Sequence, residues 1–116
     1  MSEQDCLFCK IVNGELSADV VCENDSLVAF RDIDPKAPTH ILLIPRRHIS
    51  TMNDLTDGDE TLAGELFLAA ARIAADEGLA DEGYRVVMNC NAAAGQSVFH
   101  IHLHLMGGRT MTWPPG

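Results

Sequence analysis

The sequence predicts an α+β domain built on one antiparallel sheet, and three observations carry that expectation. Short apolar runs bounded by turn residues recur along the chain, as strands joined by hairpins do. One segment, from about Thr56 to Glu77, repeats its apolar residues at helical spacing. Near the end, His100-Ile101-His102-Leu103-His104-Leu105-Met106 alternates imidazoles with large aliphatic residues, the period of a half-buried strand. A chain of 116 residues is expected to form one domain, over residues 1–116.

Each element has its own local reason. Leu7, Phe8, Ile11 and Val12 make an apolar helical face that stops at Asn13-Gly14, which predicts a short helix over residues 7–12. Val20-Val21-Cys22-Glu23 reads as a strand, Asn24-Asp25-Ser26 as a turn, and Leu27 to Asp32 as the second strand of a hairpin. Asp34-Pro35-Lys36-Ala37-Pro38 is a loop. His40-Ile41-Leu42-Leu43-Ile44, closed by Pro45, is apolar enough to be a central strand covered on both faces. Thr56 or Asp57 caps the long helix, Leu62, Leu66, Ala69, Ala70 and Ile73 form its buried stripe, and Gly78 ends it. Tyr84 to Asn89 is a fourth strand and residues 99–106 a fifth, with Cys90 to Gln96 between them. On that last strand all three imidazoles face one side, and Ile101, Leu103 and Leu105 face a core.

The bulk composition narrows the function. The chain is 47% hydrophobic and 22% charged, as globular proteins are. A formal net charge of −9 argues against non-specific binding to nucleic-acid polymers, yet leaves room for a small nucleotide. No apolar run is long enough to span a bilayer. The acidic start, Met1-Ser2-Glu3-Gln4-Asp5, is unlike a signal peptide, so the cytoplasm is the expected location. Four cysteines are then expected to be reduced. Cys6-Leu7-Phe8-Cys9 is a C-x-x-C with no strand before it, which favours a metal clip over a redox pair; two unliganded thiols are the plain alternative. Cys22 and Cys90 have no partner motif and are expected to be buried thiols.

The histidine run allows two chemistries. Neighbouring same-face residues of a strand lie ~6.6 Å apart, so two imidazoles can share an ion, whereas the first and third, roughly 13 Å apart, cannot easily do so. A neutral imidazole is also a good nucleophile toward phosphorus, and His102, in the middle, is placed for that. The adjoining Gly95-Gln96-Ser97 turn and the flanking histidines supply donors for phosphate oxygens and a proton for a leaving group.

Residues 100–106 match at every position the signature His-φ-His-φ-His-φ-φ, and the chain is therefore identified as resembling the histidine-triad (HIT) family. Phe30-Arg31-Asp32-Ile33, Ala37-Pro38-Thr39-His40, Pro45-Arg46-Arg47-His48-Ile49, Gly83-Tyr84-Arg85 and Gly95-Gln96-Ser97 extend the resemblance over nearly the whole chain. Gly107-Gly108-Arg109 and Trp113-Pro114-Pro115-Gly116 are similar to the Hint branch, the purine nucleoside phosphoramidases.

The resemblance implies a HIT-like fold, a five-stranded antiparallel sheet with one long and one short helix, joined to a second sheet across a homodimer. It implies attack by His102 on the α-phosphorus of an AMP or GMP derivative, giving a nucleotidyl-histidine that water cleaves. P–N bonds to amines are the implied substrates, with aminoacyl adenylates accepted by some members. His104 and His40 would bind phosphate oxygens or relay protons, and His100 would orient the nucleophile. Ser97 and Gln96 would contact the leaving group; Asn89 and the Gly95 turn would serve the phosphate. Asp32 would hold the ribose hydroxyls, and Leu7, Phe8, Ile11, Phe30 and Ile33 the purine. Trp113 would reach the partner's site. Catalysis would need no cofactor. Relatives with the N-terminal C-x-x-C imply a structural zinc on Cys6, Cys9, His48 and His100, a set that many Hint-branch members lack. A dinucleoside polyphosphate hydrolase and a nucleotide-binding scaffold are the alternatives. No nucleic-acid or membrane partner is expected.

Overall fold

A computed structural model describes residues 5–116; the acidic start at residues 1–4 lies outside the described residues. The elements run α1 (Leu7–Val12), β1 (Val20–Glu23), β2 (Leu27–Arg31), β3 (Thr39–Pro45), α2 (Glu60–Asp76), β4 (Tyr84–Val87) and β5 (Leu103–Gly107). The strands form one five-stranded antiparallel sheet in the order β1-β2-β3-β5-β4. No described helix is long and apolar enough to cross a membrane.

The period-2 pattern of β3 and β5 sorts the molecule into two layers. Ile41 and Leu43 of β3, with Leu103 and Leu105 of β5, face α2 and pack on Leu66, Ala70 and Ile73. Leu42 and Ile44 face the other way, onto Cys6, Phe8 and Cys9 from α1 and its cap and onto Val28 and Phe30. So β3 is covered on both faces, as its unbroken apolar run requires. The His40 side of this strand is also the side of α1.

Capping explains where the helices begin and end. Thr56 forms a capping box with Asp59, one 3-10 turn ahead of α2, so the α-helix proper starts four residues later than Thr56. Gly78, at φ +78°, closes it in the left-handed conformation that a Cβ disfavours. The thiol of Cys6 caps α1 by accepting from the Cys9 N–H at 3.2 Å. Asn24 accepts from the N–H groups of Ser26 and Leu27 and makes the β1–β2 turn.

Three expectations need correction. The fifth strand begins at Leu103, not at residue 99, because residues 98–102 leave the ladder. Ile101 donates instead to the Ile49 carbonyl at 2.8 Å. The fourth strand ends at Val87, before Asn89. Cys22 is exposed on the edge strand β1 and Cys90 is half-buried, so neither is a core thiol.

The loop after β4 holds one unusual residue. Asn91 sits at φ 69°, ψ 179°, a region that side chains other than glycine's enter only under constraint. Two hydrogen bonds hold it there, Asn91 N–H to Gln96 Oε1 at 2.8 Å and Gln96 N–H to Asn91 O at 3.1 Å. Replacing Asn91 by Gly relieves the strain and loosens the unfolded chain by a smaller amount, so Asn91→Gly is expected to raise stability by about 1 kcal/mol in urea unfolding. An unchanged or lower midpoint would contradict this.

Candidate active site

Between α1 and the ends of β2 and β5 lies a cleft of about 410 Å³. Leu7, Phe8, Ile11, Phe30 and Ile33 give it apolar walls; Asp32, Ser97, His102 and His104 bring polar groups to it. Ile33 is fully exposed and Leu7 nearly half so, which marks these two as cleft wall and not core. The Phe8 ring stands edge-on to His102, with centroids 5.0 Å apart, and edge-on to Phe30 at 5.6 Å. Leu16, Ser17, Ala18, Leu42 and Val98 also line the cleft. Leu42 was legible, since it shares the His40 face of β3. Leu16 to Ala18 follow a turn with no motif in it, and nothing local marks them.

The histidines divide into two groups, contrary to the expectation of one imidazole face. His102 and His104 line the cleft, with ring centroids 4.9 Å apart. His100 lies ahead of the strand, is fully buried, and has its ring among cysteines. His100 still touches the cleft through its backbone: its carbonyl accepts from His102 Nδ1 at 2.8 Å. That bond fixes the His102 proton on Nδ1 and leaves Nε2 as a lone pair. His40, from β3, lies 2.9 Å from His104 (Nε2 to Nδ1) and 3.4 Å from Asp32 Oδ2. The other oxygen of Asp32 accepts from the Asp34 N–H at 2.9 Å.

Burial makes these imidazoles poor bases. Desolvation lowers the pKa of His102, against the opposing pull of its bond to His100 and of Asp32. It lowers that of His40, against the nearby Asp32 carboxylate. His104 falls furthest, to about 4, through burial first and then the adjacent His102 and His40. All three are therefore neutral near pH 7.

The remaining predicted residues do not line the cleft. Gln96 is 6% exposed and its amide is fully engaged. It accepts from Asn91 N–H and donates to the carbonyls of Ser50 and Val98, at 2.9 and 3.1 Å. With no proton left over, Gln96 braces the loop that presents Ser97, in place of the expected contact with a leaving group. Asn89, Gly95 and Trp113 are not among the lining residues, and Trp113 is 82% exposed in the tail. Arg85 holds that tail through the Thr112 carbonyl at 2.9 Å.

Behind His102, Cys6, Cys9, His48 and His100 offer four ligand atoms that lie within 4.8 Å of one another. Cys6 Sγ is 3.3 Å from His100 Nδ1, and Cys9 Sγ is 3.3 Å from His48 Nδ1 and 3.5 Å from His100 Nδ1. A tetrahedral site with bonds of ~2.3 Å to sulfur and ~2.0 Å to nitrogen has sulfur–nitrogen edges of about 3.5 Å. The far nitrogens are suitably tied: His100 Nε2 donates to the Pro45 carbonyl at 2.7 Å and His48 Nε2 lies 3.2 Å from Ser50 Oγ. This leaves the Nδ1 lone pair of His100 pointing at the thiols, and the donor set fits a divalent ion.

An antiparallel sheet whose largely apolar cleft is also lined by an imidazole pair and a carboxylate defines a small α+β protein built to receive a ligand with both apolar and polar parts. The chain belongs to the HIT family, whose HIT domain model matches residues 13–111. It is 47% identical to the purine nucleoside phosphoramidase of Escherichia coli K12 over 108 residues, 93% of this chain and 91% of that one. It is 50% identical to a HIT-like protein of Synechococcus elongatus over the full length of both. Among solved structures, a HIT family hydrolase from Legionella pneumophila superposes with a TM-score of 0.95 at 55% identity, covering 97% of this chain and 100% of that one. A histidine triad protein from Clostridium difficile gives 0.92 at 37% identity, covering 97% of each.

Proposed function

We propose that this chain is a purine nucleoside phosphoramidase: a hydrolase that releases AMP or GMP from nucleoside 5′-phosphoramidates through a covalent nucleotidyl-histidine. The observation that carries this reading is the tautomer of His102. Its Nδ1 proton is committed to the His100 carbonyl, so its free lone pair is on Nε2, on a residue lining the cleft. The likeness to the Escherichia coli enzyme supports the same reading.

In the first step Nε2 of His102 attacks the α-phosphorus and the P–N bond breaks; the amine takes up a proton from solvent as it leaves, while the Nε2–H of neutral His104 donates a hydrogen bond to the departing group. In the second step water attacks phosphorus, the N–P bond to His102 breaks, and the proton from water passes to solvent, which restores neutral His102. Ser97 lies on the leaving-group side. The open oxygen of Asp32 accepts from the ribose hydroxyls, and Leu7, Phe8, Ile11, Phe30 and Ile33 enclose the purine. In this reading Asn89 and Gly95, in the loop after β4, serve the phosphate. Aminoacyl adenylates, whose α-phosphorus carries a comparable leaving group, are further substrates of the same site.

Cys6, Cys9, His48 and His100 hold one zinc in this reading. When bound, it supplies structural cohesion between α1 and the segment before β5, and the histidines do the chemistry. Two copies form a dimer. Phe67 and Leu68 on the outer face of α2 are each 57% exposed, and β4 is a sheet edge; apolar faces and bare edges of this kind are covered by a partner. The exposed Trp113 then reaches the neighbouring cleft. Reduced thiols suit the cytoplasm.

The direct test is hydrolysis of an adenosine 5′-phosphoramidate, read as AMP release. Wild type is expected to turn over, and His102→Ala to lose roughly 10⁴-fold in kcat. A folded wild-type dimer with no turnover would leave the nucleotide-binding role in its place. The pH profile is a second test. Protonated His102 cannot attack, and burial lowers its pKa from the ordinary 6.5. The rate is therefore expected to fall only below the onset near pH 6 that an ordinary imidazole gives. Activity that stays flat down to about pH 4 would contradict an imidazole nucleophile. Native mass spectrometry is expected to show two chains with two zinc ions. A metal-free monomer at micromolar concentration would count against both assignments.

A further inference from the structure

One nitrogen of His40 faces a donor, and this decides where a proton sits on the next ring. The backbone N–H of Lys36 donates to His40 Nδ1 at 3.0 Å. That nitrogen therefore carries the lone pair, and neutral His40 keeps its proton on Nε2. Nε2 lies 2.9 Å from His104 Nδ1 and donates to it. The Asp32 carboxylate, with Oδ2 3.4 Å from the same nitrogen, favours a proton there electrostatically. His104, accepting on Nδ1, is left with its own proton on Nε2. The opposite tautomer of His40 would set two N–H donors against each other across 3.0 Å.

The same fact separates two clusters that look alike. Asp32, His40 and His104 also bring ligand atoms within 4.8 Å of one another. A neutral histidine ligating through Nε2 must carry its proton on Nδ1 and give it to an acceptor. Here Nδ1 meets the Lys36 N–H, so this cluster is built to hold a proton and not a cation.

What holds Lys36 in place comes from the other end of the chain. The residues around Lys36 form the loop between β2 and β3. Arg109, just past β5, donates from Nε to the Lys36 carbonyl at 3.0 Å, and from a terminal nitrogen to its neighbour Thr110 at 3.2 Å. Gly108 lets the tail press against the loop. A Cβ there would lie 2.9 Å from Pro38 Cβ, and its φ of +91° suits glycine. Lys36 is thus gripped at both of its backbone groups, by His40 on one side and Arg109 on the other. Arg109 is exposed and does not line the cleft.

The geometry points to Arg109 as a positioning residue: by pinning the Lys36 backbone against His40, it holds His40 and His104 as Nε2–H tautomers and so presents the His104 Nε2–H as a hydrogen-bond donor to the leaving group. The leaving-group role rests on the phosphoramidase reading; the tautomers do not.

The test reads both. With imidazole nitrogens labelled, long-range proton–nitrogen correlation spectra at neutral pH are expected to show His40 and His104 as single Nε2–H tautomers in the wild type. Arg109→Ala is expected to give His40 a mixture of tautomers and to lower kcat on adenosine 5′-phosphoramidate about tenfold, with KM within about twofold. Arg109→Lys, which can still donate to the Lys36 carbonyl, is expected to restore both. Replacing Lys36 by its α-hydroxy acid deletes the N–H directly, leaves Arg109 in place, and is expected to release the His40 tautomer in the same way. This variant and the wild-type spectrum decide the matter if Arg109→Ala does not fold. A wild-type His40 protonated on Nδ1, or tautomers unchanged in the variants, would overturn the proposal. Changed tautomers with unchanged kcat would overturn the positioning role. If wild type turns over no phosphoramidate, the spectra still judge the clamp on its own.

Discussion

The antiparallel pairing of β3 with β5 is the constraint on which the cleft depends. Its register sets His40 opposite Met106 and Leu42 opposite His104. His40 and His104 are then diagonal neighbours on one face, a spacing that ring side chains can bridge. A slip of one residue would send His104 into the α2 core and Leu103 into the cleft. That slip is blocked from the other face, where Ile41, Leu43, Leu103 and Leu105 are completely buried. Each strand thus uses alternate residues for stability and for chemistry, and neither can be shifted without losing both.

Much of this was written plainly in the chain. The α2 stripe, the β1–β2 hairpin and the central position of β3 followed from spacing and turn residues, because each is a local pattern with a local cause. The misreadings arise where a tertiary contact overrides a local one. Residues 100–105 alternate perfectly, yet Ile101 finds its backbone partner in Ile49 and the strand starts late. His100 therefore goes to the thiols while His102 and His104 go to the cleft. Gln96 reads as a free polar group beside a catalytic run. Only the fold shows that Asn91, Ser50 and Val98 consume its amide.

The Lys36 contact was not legible for a different reason. Its donor is a backbone N–H, which every residue but proline carries and no motif records. Two clusters of candidate ligands, equally compact, differ in what stands behind their rings. A carbonyl behind His100 leaves a lone pair toward the thiols; an amide behind His40 leaves a proton toward His104.

The short helix α1 has a consequence for how the molecule opens. Its six residues include Phe8, a wall of the cleft, and Cys9, one of the thiols behind it, and Cys6 caps its start. A helix of one and a half turns has no stability of its own in water. What keeps it wound is what it touches on either side. Fraying of this one segment would dismantle the cleft wall and the thiol–imidazole cluster together, so the two behave as a single cooperative unit whose local unfolding free energy they share.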